Sequence, residues 1–280
     1  MPIQKGLNQL SVSVVIPFFR ASHVLPNALH SVLRQSNLPS EIIVVDDCSD
    51  DGSLEAIGRL RKIIPTHVRF LLVSLGRNMG PATARNVGWN ESACDYVAFL
   101  DADDSWYPQK LQLQFQMMES NPGFYVTGHL HDVLAEGSSW PKIKPSCIAF
   151  REFDFKDFLL RNRLVTSTLM VRRKLSLRFP EGRRYMEDHH FLLQVAGQKF
   201  RLARIEVKLA AHHKADFGEG GLSGNLWKME VGELQNYIDF FKFGNFGKTM
   251  LSIYISWSLL KYLRRLSIVA LRQLRNRLTA

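Results

Sequence analysis

The sequence predicts an α/β fold of Rossmann-like type: a mostly parallel sheet flanked by helices, with a helical, basic C-terminal tail. Three observations carry this expectation. Apolar runs alternate with helically spaced segments through the first hundred residues; two of those runs end in clustered aspartates; and the positive charge gathers near the C-terminus. Strands that alternate with helices form parallel sheets, and such sheets bind ligands beyond the carboxyl ends of their strands.

The run SVSVVIPFF, from Ser11 to Phe19, is β-branched and apolar and predicts a buried first strand. Asn27 to Arg34 places Ala28, Leu29, Val32 and Leu33 on one helical face, and Pro39 is expected to close the connection to the next strand. EIIVVDDCSDDGS then gives a second buried strand with acidic and small polar residues at its end. Leu54 to Ile64 has helical spacing, Val68 to Ser74 predicts a third strand, Pro81 to Trp89 a helix, and DYVAFL (Asp95 to Leu100) a fourth strand. Helices are expected over about 108–120 and 187–197. The Gly- and His-rich stretch AHHKADFGEGGLSGN (211–225) predicts a loop, and helical spacing resumes at Leu226 and again at Lys248. One domain over 1–225 is expected, in halves of about 11–107, with its strand ends open to a ligand, and about 108–225, with no firm boundary between them. The region 226–280 is set apart as helical and basic.

Composition excludes several classes. With 46% hydrophobic and 22% charged residues, the 280-residue chain is an ordinary globular sequence. Cys48, Cys94 and Cys147 are too few and too scattered for a disulfide framework or a thiolate zinc site, which favours a reducing compartment. MPIQKGLNQL lacks an apolar run of signal-peptide length, so a cytoplasmic location is expected. The net charge of +10 suggests nucleic acid until its position is considered: from Phe240 onward there are eight basic residues and no acidic one, leaving about +2 for the rest. No base-reading module is present, and nucleic acid is not expected as a partner.

The chemistry lies at the strand ends. In FLDADD, Asp101 and Asp103 flank Ala102 and can face a hard cation that shares its oxygens with a substrate diphosphate, or they can form a solvated acidic turn. Asp46 and Asp47 in VDDCSDD can accept hydrogen bonds from a ribose or a base, or can make an Asx-turn and helix cap. In RNMGPATARNVG, Gly80 permits a tight turn before a helix carrying Arg85, which suits a diphosphate or pairing with a strand-end aspartate. Glu187-Asp188 reads by itself as an acidic pair complementing a helix dipole at the start of a helix. A zinc site from His189, His190, His212 and His213 is not expected, because adjacent histidines do not both aim at one tetrahedral ion.

Taken in order, VSVVIPFF, SVLRQS, EIIVVDDCSDDGS, NMGPATARNVG, FLDADD and MEDHH resemble the motifs of family 2 glycosyltransferases with a GT-A fold, over roughly Val12 to Leu193. The resemblance implies an inverting enzyme that takes sugar from a nucleoside diphosphate sugar, UDP-linked in the first instance. It places Asp46 and Asp47 on the uracil or ribose, Pro17 at the pocket edge and Arg85 on the diphosphate side. Asp101 and Asp103 become the DxD motif, with Mn2+ or Mg2+ bound directly by Asp103, Asp104 behind them and Asp188 as general base. A late-loop histidine, His212 or His213, would contact the phosphate or serve as an auxiliary metal ligand; His213 is the choice carried forward.

The tail completes the expectations. From Lys248 its first half is apolar nearly all round, and the second half alternates Leu, Val or Ala with Arg. Leu259, Tyr262, Leu263, Leu266, Val269, Ala270 and Leu274 are expected to form one face, with Arg265, Arg272 and Arg275 elsewhere. Lys261, Arg264 and Arg265 interrupt any spanning helix, so an interfacial helix on the inner face of the cell membrane is expected. The acceptor would be a glycan or lipid-linked glycan. A nucleotidyltransferase and a catalytically silent membrane-associated scaffold are the rival classes, separated by product analysis.

Overall fold

The computed structural model describes residues 9–133, 148–213, 221–243 and 248–279. Cys147, residues 214–220 of the glycine-rich stretch and the first eight residues fall outside them. The opening half follows the sequence pattern: β1 (Gln9–Phe18), α1 (Leu25–Leu33), β2 (Leu38–Asp46), α2 (Ser53–Leu60), β3 (Arg69–Ser74), α3 (Pro81–Glu91) and β4 (Tyr96–Phe99). β3, β2, β1 and β4 lie side by side and run parallel. Pro39 does not close a connection: it is already inside β2, opposite Leu10, at the strand start where a missing N–H is tolerated.

The second half adds β5 (Asp104–Trp106), α4 (Lys110–Ser120), β6 (Phe124–Val133), β7 (Phe150–Phe153), α5 (Phe155–Leu160), β8 (Met170–Arg172), α6 (Glu187–Gly197) and β9 (Arg201–His212). The sheet continues from β4 through β8, β6 and β9 to β5, with β7 also paired to β9. β8 runs antiparallel to both β4 and β6. This joins the parallel half to a mixed half across one continuous sheet. Ala211 and His212, expected in a loop, are the last residues of β9; they pair with Ser105 and Asp104 of β5.

Apolar residues separate onto the two sheet faces as strand alternation requires. Val15, Ile43, Val45 and Phe99 face one core, where Trp89 meets Phe99, Phe179 and Phe191 edge-on at 5.5, 6.4 and 5.9 Å. Val14, Ile16, Ile42, Val44 and Ala98 face the other, against Leu25, Leu29 and Leu111. Tyr237 and Phe241 of α7 (Leu226–Phe243) belong to the first core, together with Phe191 and Val195 of α6. The chain beyond 226 therefore shares a core with the residues before it.

α8 (Lys248–Thr279) packs on α7 with the face opposite to the one its apolar residues suggest. Ser258 and Arg265 are buried, whereas Leu259, Leu260, Leu263, Leu266 and Leu274 are exposed. The cause is charge. Glu233 of α7 is buried and takes ion pairs from both Lys261 and Arg265, and Ser258 Oγ donates to Glu230 at 2.8 Å. Burial alone would raise the Glu233 pKa, but Lys261, His189 and Arg265 outweigh it and bring it down to about 2. A carboxylate depressed in the folded state stabilises above its unfolded pKa and loses that contribution as pH falls toward the folded value. Packing of α8 on α7 should therefore hold at pH 5 and weaken between about 4.5 and 2, followed by helical circular dichroism and limited proteolysis. In Glu233→Gln that acid-dependent step should disappear.

Candidate functional site

β4 ends at the acidic turn. Asp101 donates its backbone N–H to Ser167 Oγ at 3.2 Å, Ser167 Oγ in turn donates to Asp104, and Trp106 Nε1 donates to the Ser167 carbonyl at 2.7 Å. Asp104 thus faces inward as an anchor of the turn. Burial pushes its pKa up to about 7, helped by Asp103 and Asp101, while His212 at 3.5 Å works against the rise. Asp101 and Asp103 are half-exposed on either side of buried Ala102. Pairing of β5 with β9 brings the late histidines beside them: His213 Nε2 lies 2.8 Å from Ser105 Oγ, and its Nδ1 is buried without a hydrogen-bond partner among the described residues.

Arg85 projects from α3 into the middle of the site. It is 5% exposed, and it donates to Asp101 Oδ1 at 2.7 Å and to Glu187 Oε1 at 2.8 Å while lying over the Phe179 ring. Burial opposes its charge, yet the two carboxylates hold its pKa above the usual arginine value. Asp101 is correspondingly held low: desolvation would raise it, but Arg85 wins. Glu187 goes the other way, to about 7, because burial and neighbouring Asp188 outweigh the pull of Arg85. Of the two sequence alternatives for Arg85, pairing with a strand-end aspartate is the geometry observed.

At the end of β2 the two aspartates divide their work. Asp47 accepts from the backbone N–H groups of Met79 at 2.6 Å and Gly80 at 2.8 Å, using both carboxylate oxygens. Gly80 sits at φ +88°, a conformation a side chain would resist, and opens α3 from there. Asp46 Oδ1 accepts from the N–H of Ser49, three residues on, at 2.8 Å, which turns the chain at the end of β2 and leaves Asp46 buried. Pro17, buried in β1 opposite Val45, forms the floor between them and β4. Asp46, Asp47, Arg85 and the acidic turn all lie at the carboxyl ends of parallel strands or at the helix entered from them.

The Glu187-Asp188 pair opens α6. Met186, just before it, is left-handed at φ +57° and is locked from α7: Asn236 Nδ2 donates to its carbonyl at 3.0 Å. Asn236 Oδ1 also meets Arg183 and His190, the latter at 3.1 Å. Gly232 of α7 approaches so closely that a Cβ there would lie 2.9 Å from the Tyr185 carbonyl oxygen. Asp188 accepts from Asn162 Nδ2 at 2.8 Å and is half-exposed, whereas His189 and His190 turn inward to the Phe158 carbonyl and Asn236. Asn162, Ser167 and Asn236 carry no motif. Their role appears only once distant elements meet.

The strand-end carboxylates, Arg85 and the carboxylate pair of α6 thus gather at one end of an α/β sheet, the arrangement of a transferase of the doubly wound class. Residues 13–178 match glycosyl transferase family 2, and the chain belongs to that family. A putative teichuronic acid biosynthesis glycosyltransferase of Bacillus subtilis, TuaG, is 41% identical over 42% of this chain, a match that spans 46% of that protein. An uncharacterized glycosyltransferase of Haemophilus influenzae is 29% identical over 85% of this chain and 92% of its own length. Among solved structures, Staphylococcus aureus TarS with UDP-GlcNAc aligns at a TM-score of 0.66 with 18% identity, covering 89% of this chain and 71% of that one. The mannosyltransferase PcManGT of Pyrobaculum calidifontis, with GDP-Man and Mn2+, aligns at 0.61 with 18% identity, covering 93% and 75%. The fold is GT-A.

Truncating the link between α7 and α6 tests this geometry. Asn236→Ala leaves the Met186 carbonyl and Arg183 without their buried partner, and should cost about 1–3 kcal/mol in urea unfolding. An unchanged midpoint would show that Asn236 does not hold the α6 entry.

Proposed function

We propose that the chain is a metal-dependent, inverting glycosyltransferase that moves a sugar from a nucleoside diphosphate sugar, UDP-linked, to a glycan or lipid-linked glycan at the inner membrane face. One observation carries the reading: Arg85 ties Asp101 of the acidic turn to Glu187, next to Asp188, so that the donor side and the acceptor side share one buried ion network. The relatives support the donor and product classes. TarS and PcManGT hold UDP-GlcNAc and GDP-Man, and TuaG and the Erwinia amylovora protein AmsB are named for teichuronic acid and amylovoran biosynthesis.

The donor set suits an open cation site. Among the described residues no group of three or more His, Cys, Asp or Glu side chains could hold a metal alone. Asp101 and Asp103 supply hard oxygens from one turn, with His213 near by, and substrate phosphate oxygens would complete the shell of Mn2+ or Mg2+. Such an ion, when bound, neutralises charge on the departing diphosphate. The remaining work falls to the chain's own residues. Asp46 and Asp47 receive the nucleoside, the latter by shaping the Gly80 turn, and Pro17 backs it. Arg85 holds Asp101 ionised and aimed. Asp188, oriented by Asn162, takes the proton from the acceptor hydroxyl as the new bond forms. A single base on the face opposite the leaving group inverts the anomeric carbon.

The test is nucleoside diphosphate release across a panel of sugar nucleotides with manganese or magnesium. Asp103→Ala should abolish release, and release unaffected by it would remove the metal assignment. Asp188→Asn should keep donor binding while transfer falls by about 10²–10⁴-fold; loss of donor binding would assign Asp188 a structural role instead.

A further inference from the structure

The helix α8 is amphipathic in the wrong sense for a helix that only covers a core. Its inward side carries Ser258, Lys261 and Arg265 against Glu230 and Glu233, beside Leu251 and Tyr254 on the core, while its solvent side is mostly apolar, interrupted by Ser256, Arg264 and Ser267. Ile253, Leu260, Leu263, Leu271 and Leu274 follow each other at helical spacing on that outer side and are each more than half exposed, Leu271 at 67%. Trp257 and Met250 widen the stripe on one flank and Leu259 and Leu266 on the other, with a shallow open depression between Ile253, Trp257 and Leu260. Contiguous apolar surface of this kind marks a contact site.

We propose that this face lies on an anionic bilayer surface, with the Glu233–Lys261–Arg265 cluster as the latch that keeps it turned outward. The proposal deepens the membrane-surface part of the function above and rests on that part of it. Three features of the helix select the occupant. No helix among the described residues is long and apolar enough to cross a membrane, so the stripe must lie along a surface. α8 contains basic residues and no acidic one, which complements anionic headgroups. Exposed Arg264 at the stripe, with no acidic residue on α8 to meet it, opposes pairing with a second copy of the helix. Trp257, exposed on the flank of the stripe, is a residue type that settles at the boundary between headgroups and acyl chains.

The experiment uses the full chain and vesicles of phosphatidylcholine with or without phosphatidylglycerol. The chain should pellet with the anionic vesicles, less so as salt is raised, and only weakly with pure phosphatidylcholine. Leu260→Glu with Leu263→Glu, both exposed and away from the strand-end carboxylates, should weaken pelleting at least tenfold and leave unfolding and soluble nucleoside diphosphate release unchanged. Pelleting untouched by that double substitution would overturn the proposal. So would self-association, measured by light scattering, that the double substitution abolishes while vesicle binding is absent, since the occupant would then be a second copy. Vesicle binding as expected with no sugar transfer from any donor would count against the catalytic reading and leave the docking face standing.

Discussion

The structure turns on a buried cation held between two carboxylates. Arg85 has almost no contact with water, so its charge persists because Asp101 and Glu187 lie within 2.8 Å on either side. Breaking a buried pair by removing one partner is expensive, because the other charge is left in a medium that solvates it poorly. The three side chains come from α3, the end of β4 and the start of α6. Their mutual need brings the parallel half of the sheet and α6 to one geometry. Asp188 is placed by consequence, one residue beyond Glu187 on a helix whose first residue is fixed.

A second constraint acts from behind. α7 reaches the same helix through Asn236, which holds the carbonyl of left-handed Met186, and through Gly232, where a bare backbone permits close approach. Left-handed conformation in a residue with a side chain is uncommon and is kept where surroundings over-determine it. Here the surroundings are supplied by the segment that sequence composition alone would detach as a basic appendage.

What could be read from sequence was periodic or local. β1, β2, β3 and β4 were visible as apolar runs, and Asp46, Asp47, Asp101 and Asp103 as acidic residues at strand ends, because each signal fits within a dozen residues. β5 was too short to announce itself, and the extension of β9 to His212 depends on pairing with β5 across more than a hundred positions. The double use of Asp47 by Met79 and Gly80 was likewise hidden, since an aspartate at a strand end looks the same whether it meets ligand or backbone. α8 shows a different limit. Spacing identified an amphipathic helix there, but which side faces the body was decided by Glu233, on another helix, where burial without Lys261 and Arg265 would have been prohibitive.

The contact between Arg85 and Glu187 spans 102 positions along the chain. The first four strands and their helices supply Arg85 with only one of its two carboxylates, Asp101. The outer edge of β4 is covered by β8, and the entry of α6 is held from α7. The parallel half, for all that its sequence reads as a self-sufficient unit, therefore shares a buried ion network and a sheet edge with the chain that follows it. A chain ending before β8 would leave Arg85 without Glu187 and β4 with an open sheet edge, whereas one ending before α7 would keep both and lose the Asn236 contact that holds the entry of α6.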